Sequence, residues 1–546
     1  MSTLLIKGGR VVDPAHGVDE VRDVWIRDGV VAAPDSEIRP DRTIDARGDV
    51  VMAAGVDIHC HVVGSKVTSA RMLRPEELRR GESFGRSAAP RSRSGACGGI
   101  PTTHATGAQY AGLGYTTALD AAIAPSGARQ AHLEFADTPI LDKAMLILLA
   151  DHHYVLESVR DGDEDRLDAF IAWILDSTKG FGIKAVNPAG IETWKRGGRA
   201  LAHLDDRLDG DGVSPREILT ALARSADRLR LPHPVHLHGL QLGIPGNAST
   251  TLETMRAAEG HRLHLAHIQF HSYEGDPSDT TTMRSGVAAL VEEFNRRPEL
   301  SLDVGQVMFG EATAMTADSA VGRFLHEVTG RKWISHDIEL ETGCGVVPIT
   351  YHDRNFVHGL QWAIGLEWYL AAEDLDRVAL STDHPNGASF TAYPEVIALL
   401  MDRGLRDEML ARVHPLVRER SALADLSREY DLSDVARITR STPARLMGLD
   451  RKGHLGVGAD GDVTIYRPDI DKRRMFALPR YLIKAGEVVL DDGELRDWGL
   501  GRTYHASTAR DLDREGSIEE WFNQRSTIRF RNFGAGEVEG AEAVNR

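Results

Sequence analysis

The sequence predicts an α/β protein: a (β/α)8 TIM-like barrel joined to a small β-sandwich domain formed by both chain ends. Three observations carry this. Short apolar runs alternate with helical patterns through the middle of the chain, the rhythm of a parallel sheet covered by helices. Eight such runs end near His59, Asp120, Ala150, Lys184, His238, His267, Gln306 and Asp383, and eight parallel strands with crossover helices close into a barrel. Matching β segments stand at the two ends of the chain. A doubly wound open sheet is the structural alternative.

At the N-terminus, Leu4-Leu5-Ile6-Lys7-Gly8-Gly9 leads to Val11-Val12-Asp13-Pro14. Val24 to Val31 then reads as a hairpin closed at Asp28-Gly29, because Asp-Gly tolerates the positive φ of a tight hairpin turn. Near the other end, Gly461–Tyr466 and Leu482–Val489 repeat the β pattern. Residues 1–50 and 446–500 are assigned to the sandwich and 51–445 to the barrel. The interval from the seventh run to the eighth is long and is read as an insertion at about 307–376, the kind of loop that carries substrate contacts. Residues 501–546 read as a polar, irregular tail lying on the core or on a partner.

Composition narrows the function. Of 546 residues, 42% are hydrophobic and 27% charged, enough apolar surface for a packed core. The formal net charge is −17, which argues against a nucleic-acid binder and against a polybasic membrane anchor. The longest aliphatic stretch, Met145–Ala150, is too short to span a bilayer. No apolar core with a cleavage site is visible in Met1–Pro14. The three cysteines, Cys60, Cys97 and Cys344, are far apart and form no C-x-x-C pair, as expected of a reducing, cytoplasmic setting. Only 10 of the 64 basic residues are lysines, so a lysine inside an apolar run stands out.

The chemistry gathers at the ends of the apolar runs. His59 and His61 are two apart, and on a strand residues i and i+2 point to the same face, so both imidazoles can meet one cation. Lys184 lies within Phe181–Pro188. Enclosed in a site, its amine loses basicity through desolvation, and a neutral amine can react with CO₂ to give a carbamate whose two oxygens bridge two cations. Seven histidines fall between His233 and His271. His236 and His238 share parity, so spacing does not separate them; His267 closes its apolar run, which favours it over His264. His271 is a candidate supporting or substrate contact. Asp383 ends the eighth run; the plain reading is a helix N-cap, but in a barrel it faces the same mouth as the histidines. Four His, one Lys and one Asp suit a pair of borderline divalent ions, with Zn²⁺ favoured by the N and O donors. Such a pair activates water and polarises a carbonyl, the chemistry of amide hydrolysis.

This constellation resembles the amidohydrolase superfamily, which implies a barrel with a one- or two-metal centre. On that resemblance the metal ligands are His59, His61, Lys184 (N-carboxylated in many members), His238, His267 and Asp383. Ser441–Leu449 followed by Gly453–Asp462 is also similar to that superfamily, and the resemblance covers about residues 1–500. A narrower similarity is carried by Lys184–Pro188, Leu242–Asn247, Asp303–Glu311, Met315–Asp318, Glu341–Gly345 and Thr382–Gly387. These runs look like the family of the A-type component of formylmethanofuran dehydrogenase, whose bacterial relative is the hydrolase subunit of the formyltransferase/hydrolase complex.

The implied activity is hydrolysis of an N-formyl amide, releasing formate from a formylated furan cofactor in one-carbon metabolism, with Asp383 as the catalytic proton carrier. The implied partners are the cofactor, with its polyglutamate-like tail, and the other subunits of the complex. Asn247, Gln306, Cys344 and His384 are candidate pocket residues, each with a packing or loop-capping role as the plain alternative. Arg71, Arg74, Arg79, Arg80, Arg86, Arg91 and Arg93 form a basic segment, either a solvated loop or an entrance for an acidic tail. Competing readings are a dehydrogenase component condensing formate, a stand-alone cyclic amidase of the dihydropyrimidinase or dihydroorotase type, and a structural subunit without catalysis.

Overall fold

The computed structural model describes residues 2–546 except 36, 38, 76–98, 199, 339, 497 and 498. Arg79, Arg80, Arg86, Arg91, Arg93 and Cys97 therefore lie outside the described residues. Eight parallel strands form the barrel: strand one Gly55–Cys60, two Tyr115–Ile123, three Asp142–Leu148, four Gly182–Val186, five Val235–His238, six Leu263–Leu265, seven Leu300–Asp303 and eight Val378–Ala379. Each is hydrogen-bonded to the next. The segment just after strand eight meets strand one through a parallel bridge between Cys60 and His384, where the His61 amide donates to the His384 carbonyl at 2.7 Å. The strands are buried on both faces, as apolar runs such as Ala144-Met145-Leu146-Ile147-Leu148 require.

The last strands end earlier than the apolar runs do. Regular pairing stops at Leu265, Asp303 and Ala379. His267 (φ 34°) and Asp383 (φ 50°) then take left-handed backbone that no ladder can continue. These residues sit on the turns at the barrel mouth rather than in the strands.

Both chain ends build a second, nine-stranded sheet. Val50–Ala53 pairs in parallel with Thr3–Asp13 and antiparallel with Val463–Tyr466, so the two ends meet across it. The hairpin closes at Asp28 (φ 48°) and Gly29 (φ 80°), the two positive values its turn needs. Its own core includes Leu4, Ile6, Val24, Ile26, Val463 and Ile465.

A buried ionic cluster ties this sheet to the barrel. Lys452 Nζ lies 2.5 Å from Asp142, 3.0 Å from Asp460 and 2.6 Å from Asp462, and Lys484 Nζ is 2.9 Å from Asp462. Asp142 opens strand three. Burial alone would raise the Asp462 carboxyl, but the two lysines hold it below the ordinary range.

Between strands seven and eight, Gly310–Thr316, Ile334–Ile338 and Glu341–Tyr351 form an antiparallel sheet carrying helix Ser319–Thr329. The C-terminal segment is more ordered than its polarity implies. Thr503–Ala506 pairs in parallel with the start of strand three and with Ala541–Val544. Helix Leu512–Arg525 follows, and Phe522, Phe530 and Phe533 ring Trp173 at centroid distances of 5.5, 4.9 and 5.6 Å. A few aromatics in a charged segment supply the burial without leaving a periodic pattern.

Candidate metal centre

Inward-facing side chains of a barrel stack in layers, and the top layer faces the mouth. Here a cavity of about 680 Å³ opens at the strand ends, and its wall includes His59, His61, Lys184, His238, His267 and Asp383. Six residues spread over more than 300 positions of sequence thus share one space. Asp383 Oδ1 lies 3.1 Å from His59 Nε2 and 3.1 Å from His61 Nε2. The His267 ring centroid is 5.3 Å from His59 and 4.7 Å from His238. Donor atoms of His59, His267 and Asp383 fall within 4.8 Å of one another, close enough for one ion.

The backbone enforces this convergence. Gly305 (φ +66°) follows strand seven, and a Cβ there would stand 2.3 Å from His267 Cβ. Only glycine leaves room for the imidazole, and only glycine adopts that φ without strain. Asp383 is fixed by its neighbours: its amide donates to Ser381 Oγ at 2.7 Å, and Asn386 Nδ2 donates to its Oδ1 at 2.9 Å.

Charge is finely balanced. Burial lowers the Lys184 amine to about 8 against the pull of Asp383, Asp303 and Asp120, the direction that favours a neutral amine. Burial pushes His238 and His267 well below their ordinary value, aided by neighbouring histidines and Lys184. His59 goes the other way, up to about 9, because Asp303 and Asp383 outweigh its burial. Those same contacts with His59 hold Asp383 and Asp303 below the carboxylate range despite burial.

A donor set for cations is present. Lys184 Nζ, His238 Nε2 and His267 Nδ1 are buried and have no hydrogen-bond partner among the described residues. Unsatisfied buried nitrogens are costly, and a bound cation, with a carbamate on the lysine, would satisfy them. A second cluster, His59, His236 and Asp303, also brings three donor atoms within 4.8 Å. It lies one layer deeper, and its atoms hydrogen-bond to each other: His59 Nδ1 is 2.9 Å from Asp303 Oδ2 and 3.0 Å from His236 Nε2. This separates the two strand-five histidines: His238 lines the cavity and His236 lies beneath it.

The other candidates sit elsewhere. Asn247 spends its amide on the Gln241 and Phe270 carbonyls and accepts from the Tyr273 amide, pinning two loops together. Gln306 Nε2 donates to the Val307 and Trp362 carbonyls within the core. Cys344 packs with Val67, Ala70, Ile100, Met315 and Val346. His384 Nδ1 accepts from the Phe390 amide, and burial lowers its pKa to about 3. None of the four lines the cavity that holds the six residues. His271 stacks on His267 at 5.3 Å. Arg74 is buried and bound to the Ala312 carbonyl, Thr313 and Glu311, so it ties down the insertion instead of facing an entrance.

Sequence reading passes over Asp303 and Asp120 as individual site residues. Asp120 accepts from Lys66 at 2.7 Å and from the Val62 and Val63 amides, and lies 3.7 Å from His61 Nδ1. Carboxylates behind imidazoles orient metal-binding histidines. The signal for them is a lone aspartate in an otherwise uncharged barrel strand, Asp120 within strand two and Asp303 at the end of strand seven.

A parallel barrel with convergent His, Lys and Asp at its mouth, beside a sheet built from both chain ends, defines a metal-dependent hydrolase of the amidohydrolase type. The chain belongs to the amidohydrolase family, whose model matches residues 42–490. It is 40% identical to protein FwdA of Methanocaldococcus jannaschii, over 97% of this chain and 96% of that protein. It is also 40% identical to the A component of the formyltransferase/hydrolase complex Fhc of Methylorubrum extorquens, over 97% and 95%. The crystal structure of that complex, FhcABCD with methylofuran, contains a chain matching with a TM-score of 0.93 at 38% identity, covering 99% of both chains. Dihydroorotases match over only 11% of the chain.

Proposed function

We propose that this chain is the hydrolase subunit of a formyltransferase/hydrolase complex. It releases formate from the N-formyl amide of a methylofuran-type cofactor. The observation that carries the reading is the full-length likeness to the methylofuran-bound complex, TM-score 0.93 over 99% of both chains. The six cavity residues supply the chemistry that likeness calls for.

In this reading His59, His61, Lys184, His238, His267 and Asp383 hold two divalent ions, Zn²⁺ being the best match to the donor set, with Lys184 N-carboxylated. Such ions, when bound, polarise a carbonyl and make water acidic. The chain's own residues do the rest. Asp383 Oδ1 meets His59, His61 and Asn386, and the carboxylate so held takes a proton from the attacking water and returns it to the leaving amine. The outer cavity wall, with Leu242, Ile244, Phe270, Val321, Phe324 and Ile349, suits a furan ring and excludes bulk water. Arg331 at the rim suits an acidic, polyglutamate-like tail. No helix among the described residues is long and apolar enough to cross a membrane; with so few cysteines, the proposal places the protein in the cytoplasm.

The equal identity to FwdA favours one second reading, in which the same residues condense formate with the amine. The test is formate release from an N-formylated furfurylamine-type substrate, by the chain and by its native complex, with metal content measured on the same samples. Release with about two ions per chain supports the hydrolase. Formate-dependent amide synthesis without release supports condensation, and neither reaction at full metal occupancy overturns both.

A further inference from the structure

Beneath the cavity, the direction of every hydrogen bond follows from one end of a chain of rings. The Leu446 carbonyl only accepts, so His233, whose Nδ1 is 2.8 Å away, donates to it from Nδ1. In its neutral form His233 then offers Nε2 as an acceptor, and His236 Nδ1, 3.0 Å away, donates to it. His236 Nε2 is left as an acceptor, 3.0 Å from His59 Nδ1. Asp303 Oδ2, also an acceptor, is 2.9 Å from the same nitrogen. Both neighbours of His59 Nδ1 accept, so the proton sits on Nδ1. When His59 gives up a proton to bind a cation, that proton therefore leaves from Nε2, the nitrogen 3.1 Å from Asp383, and the lone pair of the neutral ring falls there. On its far side Asp303 Oδ2 lies 3.2 Å from His264 Nε2, and His264 Nδ1 is 3.0 Å from Ser301 Oγ. His59, His233, His236, His264 and Asp303 are all fully buried, so no solvent competes for these bonds.

We propose that Asp303, backed by His236, is a positioning residue that locks His59 in its Nδ1–H tautomer and so presents the Nε2 lone pair to a cation at the mouth. The inference rests on the metal-centre reading above. A buried imidazole between two acceptors has one tautomer and one orientation available, which removes both the tautomeric and the rotational cost of binding. His59 is thus organised before a cation arrives, from residues that never touch it.

The test uses the full-length chain stripped of metal and titrated with Co²⁺, read by visible absorption and by the number of ions bound. Asp303→Asn places an amide where two N–H groups now point, and is expected to weaken binding of one ion about 10–100-fold and to change its absorption bands. His236→Leu should weaken it too, and His236→Gln, whose Oε1 restores the acceptor, should recover much of the loss. This pair separates an acceptor from mere packing and serves even if Asp303→Asn fails to fold. A folded Asp303→Asn chain with wild-type affinity and spectrum, or leucine and glutamine variants that behave alike, would overturn the inference. Wild-type chain that takes up no Co²⁺ would overturn the metal-centre reading with it.

Discussion

At the scale of single residues, Asp383 and Lys184 show how burial and neighbours set function. Burial favours a protonated Asp383, yet His59 and His61 keep it ionised, as the proton-accepting role proposed for it requires. Asp383→Asn should leave fold and metal content largely intact while kcat falls about 10²–10⁴-fold, the usual worth of a general base; steady-state formate assay beside elemental analysis checks this. Lys184→Met keeps the packing and removes the nitrogen. Its metal content should drop from about two ions to one or fewer, and the carbamate signal after labelling with ¹³C-bicarbonate should be absent. Most of the six cavity residues stand out in the sequence because each lies in or closes an apolar run as a residue type foreign to it, but spacing alone does not separate His238 from His236. Asp303 does not stand out, since its partner His59 is 244 positions away and an aspartate at a strand end reads equally well as a cap.

At the scale of elements, Gly305 and Lys452 do unlike jobs. The first clears space for His267 on the turn after strand seven. Gly305→Ala should displace that imidazole, and dialysed protein should then hold less metal than wild type while its circular dichroism stays similar. Lys452 touches Asp142, Asp460 and Asp462 where barrel and end sheet meet, and shares their charge with Lys484. Lys452→Met would strand buried carboxylates with too little counter-charge, and denaturant unfolding should show a loss of about 3–5 kcal/mol. Elements with local signals are readable from sequence. The Asp28-Gly29 hairpin needs two positive φ values that its residues tolerate. The helix Leu512–Arg525 escapes notice because its buried side chains, Ile518, Trp521 and Phe522, leave most of its surface charged and give no continuous stripe. The turns bearing His267 and Asp383 read as strand ends because apolar composition continues past the last ladder bond.

At the scale of the whole molecule, stability should depend on both pH and metal. Glu367 is buried between Ser285 and the Ala422 amide, and burial lifts its pKa to about 7, above the unfolded value near 4.5. A raised carboxyl contributes stability that is fully present below the unfolded pKa and is lost as pH rises through 7. Glu367→Gln should therefore narrow the stability difference between pH 5 and pH 8, by up to roughly 3 kcal/mol in denaturant titrations. Chelation should lower the melting temperature of the wild type, since ligands that bind only the native state at 1,000 times Kd contribute about 4 kcal/mol. The parallel pairing of Thr503 with Lys143 carries a practical consequence. Lys143 is the second residue of strand three, so the last segment is moored at the barrel floor, and Arg546 lies near enough to Arg262, just before strand six, to add to the lowering that burial causes there. A dye or surface tether attached beyond Arg546 would hang from that floor. The mouth at the opposite end would stay unobstructed, so immobilised single molecules should admit small molecules to the cavity as freely as molecules in solution.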